Sequence, residues 1–479
     1  MSLVPPADPV PVDELGRVHF IGIGGVGMSG IARILLQLGA EVTGSDAADG
    51  PLLHELTALG ATTHVGHDAA YVGAADTVVV TSAVREDNPE LAEARERGLR
   101  VIPRAAALGA LLLGRRGTAV AGTHGKTTTT SMLTVVLQHA GAEPGYVIGG
   151  ALVTTGQGSD AGAGEVIVAE ADESDGSFLM LSPEIAVVTN VEADHLDNYG
   201  GIDEIHAEFA DFAERVGGTL VAGVDDAGAR RVAETARGLG KRVVTYGEAA
   251  DADYRVTEIA AEGFRTSFTI AAPGAPPVRA ELAVPGRHNV LNAAAAVAVA
   301  DVLGYDPEVA VAGLAGFTGA ARRFELKGEA GGVAVYDSYA HHPTEIAADL
   351  RAARAALDTR GGADASPGRV VAVFQPHLYS RTRIFADEFA EALSPADEVV
   401  VLSVYAARED PEPGVSSELI TRGITHDRVG YEPDRAEAVA RAASVAEPGD
   451  IVLTMGAGDV TELGPRIVEA LSALERVGD

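Results

Sequence analysis

Residues 118 to 130 read TAVAGTHGKTTTT, an apolar run that stops at Gly122, crosses His124 and Gly125, and ends in Lys126 and four threonines. A strand that opens through glycine into a helix aims several backbone N–H groups at one point, and the helix dipole favours an anion there. Lys126 adds a mobile cation for terminal phosphates, and Thr127 a hydroxyl for magnesium. The usual GxxxxGK[ST] pattern would start with a glycine at position 120, which is Val120 here; Gly122 and Gly125 frame a tighter loop instead. The loop implies a nucleotide and leaves the reaction open.

The strands that follow narrow the chemistry. EVIVA leads into Glu170, Asp172, Glu173 and Asp175, and IAVVTNV into Glu192, Asp194 and His195. Carboxylates at the ends of buried strands beside a phosphate loop are what magnesium needs to bridge protein and phosphates. His195 fits less well, because magnesium favours oxygen; by itself it reads as a hydrogen-bonded loop histidine.

Outward from this core, three zones differ in texture. Residues 18 to 105 alternate short β runs with helical stretches, as in an open parallel sheet. The central zone begins near Gly117; Leu133, Val136, Leu137 and Ala140 fall at helical spacing, with Gly141 as the stop, and 251 to 285 reads as hairpin-like. Alternation returns from about 325, in runs that end in polar or glycine-rich residues. The expected fold is α/β in three domains: Rossmann-like at 1–112, a central domain at 113–321 that carries the phosphate loop on a parallel sheet with a smaller antiparallel one, and Rossmann-like at 322–479.

The first zone carries Gly22, Gly24 and Gly27 at G-x-G-x-x-G spacing after a strand, and Asp46 ends the next strand where a ribose hydroxyl is often held. Alone, this suggests an NAD-dependent oxidoreductase or a nucleotide-binding regulator. A second diphosphate nucleotide satisfies the same amides, and nothing resembles a hydride-acceptor site.

The 479 residues have a net charge of −33, a 47% hydrophobic composition and no cysteine. Cysteine nucleophiles, thiolate metal sites and disulfides are excluded, and so acidic a surface repels nucleic acid and anionic membranes. No stretch approaches the roughly 18 apolar residues of a membrane span, so a cytoplasmic location is expected.

Ten stretches in order, HFIGIGGVGMSGIA, TSAVREDNPE, AGTHGKTTTT, EADESDGSF, TNVEADHLDNYG, GRHNVLNAAAA, ARRFE, DSYAHHPTE, QPHLYSRT and MGAGD, resemble the Mur ligases of bacterial peptidoglycan synthesis over nearly the whole chain. The resemblance implies an ATP-dependent carboxylate-amine ligase of the alanine-adding branch, working through an acyl phosphate. UDP-N-acetylmuramate and L-alanine are then its partners, ATP and Mg2+ its cofactors, and no nucleic acid or membrane is involved in the work of a monomer or homodimer. A murein peptide ligase, which joins a recycled tripeptide to the same UDP-sugar, is the nearest rival.

Residue by residue, the resemblance gives catalysis to Lys126, Glu173, His195 and Arg323. It gives ATP to Gly122, Thr123, His124, Gly125, Lys126, Thr127, Thr128, His288, Asn289, Asn292, Arg323 and Asp337, and metal to Thr127, Glu173 and His195. The UDP-sugar falls to Gly22, Gly24, Gly25, Gly27, Met28, Ser29, Asp46, Ser82 and Asn88, so the first domain holds UDP and not NAD. The amino acid falls to Tyr339, His341, His377 and Arg381. Arg322 is easily confused with Arg323, and His342 is equally well a helix-start residue before Pro343. The carbamylated lysine of several related ligases has no counterpart, since residues 196 to 240 hold no lysine.

Overall fold

The computed structural model describes residues 4–81, 83–194, 199–360, 368–407 and 409–478. Three sheets carry the three domains. In the first, β1 (Val18–Ile21), β2 (Val42–Asp46), β3 (Thr62–Val65), β4 (Thr77–Val80) and β5 (Arg100–Pro103) run parallel in the order β3-β2-β1-β4-β5. Helices α1 (Val26–Gln37), α2 (Pro51–Ala58), α3 (Pro89–Glu96) and α4 (Arg104–Leu112) connect them. The order reverses at β1, and the glycine turn of residues 22–27 leaves its carboxyl end, where a doubly wound sheet gathers ligands.

The central domain holds β6 (Arg116–Ala121), α5 (Lys126–His139), β7 (Gly145–Val147), β8 (Ser159–Asp160), β9 (Val166–Glu170), β10 (Ile185–Val188), α6 (Ile202–Arg215), β11 (Thr219–Gly223), α7 (Ala227–Gly238) and β12 (Arg242–Gly247). It continues with β13 (Tyr254–Glu262), β14 (Arg265–Ala271), β15 (Val278–Leu282), α8 (Arg287–Val302) and α9 (Pro307–Leu314). The ten strands order as β15-β14-β13-β12-β11-β10-β6-β9-β7-β8. The strands expected as a smaller separate sheet extend the large one, because Tyr246 and Gly247 register with Tyr254 and Arg255 and use the open edge of β12. β6 lies between β9 and β10, so the lysine loop leaves the middle of the sheet with an acid-bearing strand end on either side.

The last sheet has β16 (Glu325–Ala330), β17 (Val333–Ser338), β18 (Val370–Phe374), β19 (Glu398–Val401), β20 (Val429–Tyr431) and β21 (Ile451–Met455) in the order β16-β17-β21-β18-β19-β20. β16 alone is antiparallel, to β17. Its helices are α10 (Pro343–Arg360), α11 (Tyr379–Ile384), α12 (Ala386–Leu393), α13 (Glu418–Thr421), α14 (Arg435–Val445) and α15 (Leu463–Gly478).

By internal contacts the chain divides into two compact units: Met1–Val256, Ile270–Val278 and Leu291–Phe317 form one, and Thr257–Thr269, Arg279–Val290 and Thr318–Asp479 the other. Among the described residues no helix is long and apolar enough to cross a membrane.

The threonines that open α5 are poor helix formers, yet the helix is buried and two of its hydroxyls are absorbed by its own carbonyls. Thr130 Oγ1 returns to the Lys126 carbonyl at 2.8 Å, and Thr134 Oγ1 to that of Thr130 at 2.8 Å. Phe178, 1% exposed, stacks on Phe212 at 4.8 Å and meets Phe209 edge-on at 5.2 Å. Both partners belong to α6, so the segment carrying Asp172 and Glu173 is anchored to the core at its far end.

Candidate active site

The phosphate loop is shaped by two glycines that no other residue replaces. Gly122 has φ +131°, and a Cβ there would fall 2.0 Å from Thr189 Oγ1; Gly125 has φ +84° and would meet Asn292 Oδ1 at 2.6 Å. Between them His124 is clamped: its N–H donates to Asn190 Oδ1 at 2.8 Å, and its carbonyl accepts from Thr189 Oγ1 at 2.6 Å and Asn190 Nδ2 at 3.0 Å. Gly125 begins α5 without a capping side chain, so the first-turn amides point out of the loop.

Lys126 crosses this turn. Its Nζ donates to the carbonyls of Gly122 at 2.8 Å and Thr123 at 3.2 Å, and to Glu173 Oε1 at 2.8 Å. Burial opposes the ammonium charge, but Glu173, Asp172 and Glu170 outweigh it and raise its pKa. Burial acts on Glu173 the other way, pushing it up to about 7 with help from Asp172 and against the attraction of Lys126. Thr127 Oγ1 donates to Glu170 Oε1 at 3.1 Å, and the other Glu170 oxygen accepts from Gly149 N at 2.8 Å. Lysine, hydroxyl and two carboxylates thus converge at the loop. His195 lies outside the described residues.

In the same unit the glycine turn lines a cleft of about 870 Å³. Gly22, Gly25, Gly27, Met28, Asp46 and Asn88 line it, together with Arg104 and Asp172. Ser29 is buried in α1 behind the turn, its hydroxyl on the Val26 carbonyl at 3.1 Å, and Ser82 lies outside the described residues. Asp46 accepts from Gly24 N at 2.9 Å, so its carboxylate braces the turn. Asn88 caps α3, accepting from Glu90 N and Leu91 N at 2.9 and 3.1 Å. Arg104 Nη2 meets Asp172 Oδ2 at 3.4 Å, a contact with no local sequence signal.

The C-terminal unit collects another set. Tyr339 and His341 leave the end of β17; their rings meet edge-on at 5.3 Å, and His341 lies 6.2 Å from His377, which stacks on Tyr405 at 5.7 Å. His341 Nδ1 is 3.0 Å from the Tyr339 carbonyl, which only accepts, so the neutral ring carries its proton there. Arg381 is buried on α11. Arg323 approaches Glu345 at 3.8 Å and lies 5.1 Å over the Tyr339 ring.

Arg322 separates clearly from Arg323. With φ +59° it turns inward, donating to Asp337 Oδ2 at 3.3 Å and to the carbonyls of Gly456 and Ala457 at 2.5 and 3.4 Å. Asp337 is fully buried and also accepts from Thr454 Oγ1 and Thr461 Oγ1, both at 2.8 Å, so its visible work is inside its own domain. His342 packs on Phe385. His288, in the first turn of α8, has its pKa lowered to about 4 by burial and is a neutral ring. Asn289 donates to the Pro285 carbonyl at 2.7 Å, and Asn292 sits against Gly125.

Asp349 escaped the sequence reading. On α10 it accepts from the Ser338 hydroxyl, which in turn accepts from Ala340 N at 3.1 Å and so shapes the segment that presents Tyr339 and His341. Burial lifts the Asp349 pKa from 3.8 to about 7, the Ser338 bond working against it and Glu345 with it. An acid that binds its proton more tightly folded than unfolded contributes most below the unfolded pKa and loses that contribution as pH climbs from 3.8 through 7. Asp349→Asn is therefore expected to stabilise the protein by up to about 4 kcal/mol at pH 8 and by almost nothing near pH 3.5. Urea melts at the two pH values check this, and equal effects at both would refute it.

Comparison with known proteins places this geometry. Residues 17–116 match the description "Mur ligase family, catalytic domain", residues 120–300 "Mur ligase middle domain", and residues 322–458 "Mur ligase, glutamate ligase domain". The chain is 73% identical to a UDP-N-acetylmuramate–L-alanine ligase of Thermobifida fusca, over 98% of this chain and all of that one. It is 54% identical to the protein of that name in Kineococcus radiotolerans, over 96% and 97%. Among solved structures, a UDP-N-acetylmuramate-alanine ligase from Thermotoga maritima superposes with a TM-score of 0.76 at 30% identity, covering 97% of this chain and 100% of that one. A murein peptide ligase from Psychrobacter arcticus follows with a TM-score of 0.68 at 27% identity, covering 95% and 99%.

Proposed function

The chain belongs to the Mur ligase family, and from that premise we infer that it joins L-alanine to the lactyl carboxylate of UDP-N-acetylmuramate, converting ATP to ADP and phosphate. The observation that carries the reading is the Lys126 loop, a glycine turn with a buried cation and oxygen-donor acids, in a chain that matches alanine ligases along nearly its whole length.

A carboxylate is a poor electrophile. Its oxygen attacks the γ-phosphorus, ADP leaves, and the acyl phosphate formed carries a good leaving group. The amine of L-alanine then attacks the acyl carbon; phosphate leaves with one carboxylate oxygen, and the nitrogen gives up its proton. Bringing two anions together is the main difficulty, so positioning and charge neutralisation dominate.

The loop amides and Lys126 hold the β and γ phosphates, and Arg323 keeps its proposed place at the phosphates. Asn292, against the glycine turn, and His288, Asn289 and Asp337 complete the proposed ATP set. The oxygens of Thr127, Glu170 and Glu173 suit magnesium, which takes hard oxygen donors. Thr127 and Glu173 would hold it, with His195 the third proposed ligand; when bound, it would neutralise charge on the phosphates. The glycine turn takes the UDP diphosphate, and Tyr339, His341, His377 and Arg381 take L-alanine. The proposed domains are 1–112 for the UDP-sugar, 113–321 for ATP and 322–479 for the amino acid, in a cytoplasmic monomer or homodimer.

A murein peptide ligase is less well supported, since the 73% match is to an alanine ligase and the peptide ligase stands at 27%. Steady-state turnover with L-alanine against the tripeptide tests the choice; preference for the tripeptide would sink it.

A further inference from the structure

A single carboxylate on α10 ties together two groups that were given separate roles above, His341 and Arg323. Glu345 is the third residue of that helix, and its Oε2 accepts from the backbone N–H of His341 at 3.0 Å and of His342 at 3.4 Å. That is a helix cap, which a neutral oxygen makes equally well. The same side chain makes two approaches that a cap does not need. Oε2 lies 3.4 Å from His341 Nδ1, and Oε1 lies 3.8 Å from Arg323 Nη1. The Glu345 side chain is 14% exposed and that of His341 16%, so water screens their interaction poorly. Asp349, four residues on and so on the same face of α10, holds Ser338 at the start of the segment.

This wiring suits the histidine to one task. Nδ1 faces two acceptors, the Tyr339 carbonyl at 3.0 Å and the Glu345 carboxylate, so the neutral ring is protonated there and has its lone pair on Nε2. A carboxylate beside Nδ1 also steadies the ring once Nε2 gains a proton. The other groups that face it are Tyr339, edge-on at 5.3 Å, and His377, at 6.2 Å and backed by Tyr405. Arg323, at the other Glu345 oxygen, limits how firmly the carboxylate holds a proton on His341.

The ligase reading leaves one step without a residue. L-alanine arrives as an ammonium ion, which has no lone pair to attack with, so one proton must leave before the C–N bond forms. We propose that Glu345 is the positioning residue of amide formation: it holds the His341 ring so that Nε2 takes that proton from the alanine nitrogen. His341 becomes an imidazolium, and the freed lone pair forms the C–N bond at the acyl carbon as the C–O bond to phosphate breaks. The second nitrogen proton goes to the departing phosphate, and His341 returns its own to water. The proposal rests on the ligase reading above.

The test sets L-alanine against hydroxylamine, an acyl acceptor that is already uncharged at neutral pH and traps an acyl phosphate as a hydroxamate. His341→Gln lowers kcat with L-alanine about a hundredfold, the scale of general-base catalysis, and hydroxamate formation far less. Glu345→Gln keeps an oxygen for the His341 and His342 amides and removes only the charge that a cap does not need. Its kcat with L-alanine falls about tenfold, and the acidic limb of the pH profile moves down by about one unit. Should one variant fail to fold, the other carries the test. Equal losses with the two acceptors in His341→Gln, or a Glu345→Gln profile that does not move, overturn the proposal, while the parent's turnover of L-alanine leaves the ligase reading intact. A parent that forms neither amide nor hydroxamate overturns both.

Discussion

Lys126→Ala is expected to lower phosphate release by roughly a thousandfold or more while the fold survives, the scale seen when a charge-stabilising group is removed from a phosphoryl-transfer site. The lysine is wired to the loop it serves, through the Gly122 and Thr123 carbonyls and Glu173, and its side chain is 15% exposed. Removal leaves Glu173 buried without its ammonium partner, and the carboxyl responds by holding its proton, since burial has already lifted it to about 7. The variant should therefore melt close to the parent at pH 6 and lose stability relative to it as pH rises above 7. Near-normal phosphate release at saturating ATP would show that the loop is not catalytic.

Glu173→Gln isolates the other half of the pair. Glutamine keeps the shape and an oxygen for Lys126, so packing beside Tyr199, whose hydroxyl bonds to the Glu173 carbonyl, is preserved. The charge is lost, and one acceptor oxygen becomes an amide donor. The expected result is a fall in kcat of roughly a hundredfold or more and a rise in the magnesium needed for half-maximal rate, since the proposed ligand oxygen is weakened and not merely its support. A carboxylate that served only to seat the lysine would lower the rate without moving the magnesium titration, and that outcome would remove Glu173 from the metal site.

The division between what the sequence made legible and what it hid follows the range of the interactions. Gly122, Gly125, Lys126 and Thr127 act within six consecutive residues, and strand, turn and helix announce themselves locally; the structure brings them together with Glu173 as expected. The alternating β and helical zones are similarly local, and three α/β sheets follow from them. Asn190, which clamps His124, lay within the quoted TNVEADH stretch, but its role needs the neighbouring strand β10 to be placed beside β6. Glu90 closes the quoted TSAVREDNPE stretch, but its role was not readable there: it joins His19 from 71 positions away and His67 from 23. Asp46 shows a subtler limit. Its position at a strand end was readable, whereas its grip on Gly24 N was not.

The central claim is that the Lys126 loop activates a sugar-borne carboxylate as an acyl phosphate. Oxygen transfer tests it most directly: UDP-N-acetylmuramate labelled with ¹⁸O in the lactyl carboxylate is turned over with ATP, magnesium and L-alanine, and the inorganic phosphate is analysed by mass. The account predicts one ¹⁸O in each phosphate released, matched by one UDP-N-acetylmuramoyl-L-alanine formed. Phosphate released without label, or amide formed without phosphate, would contradict it.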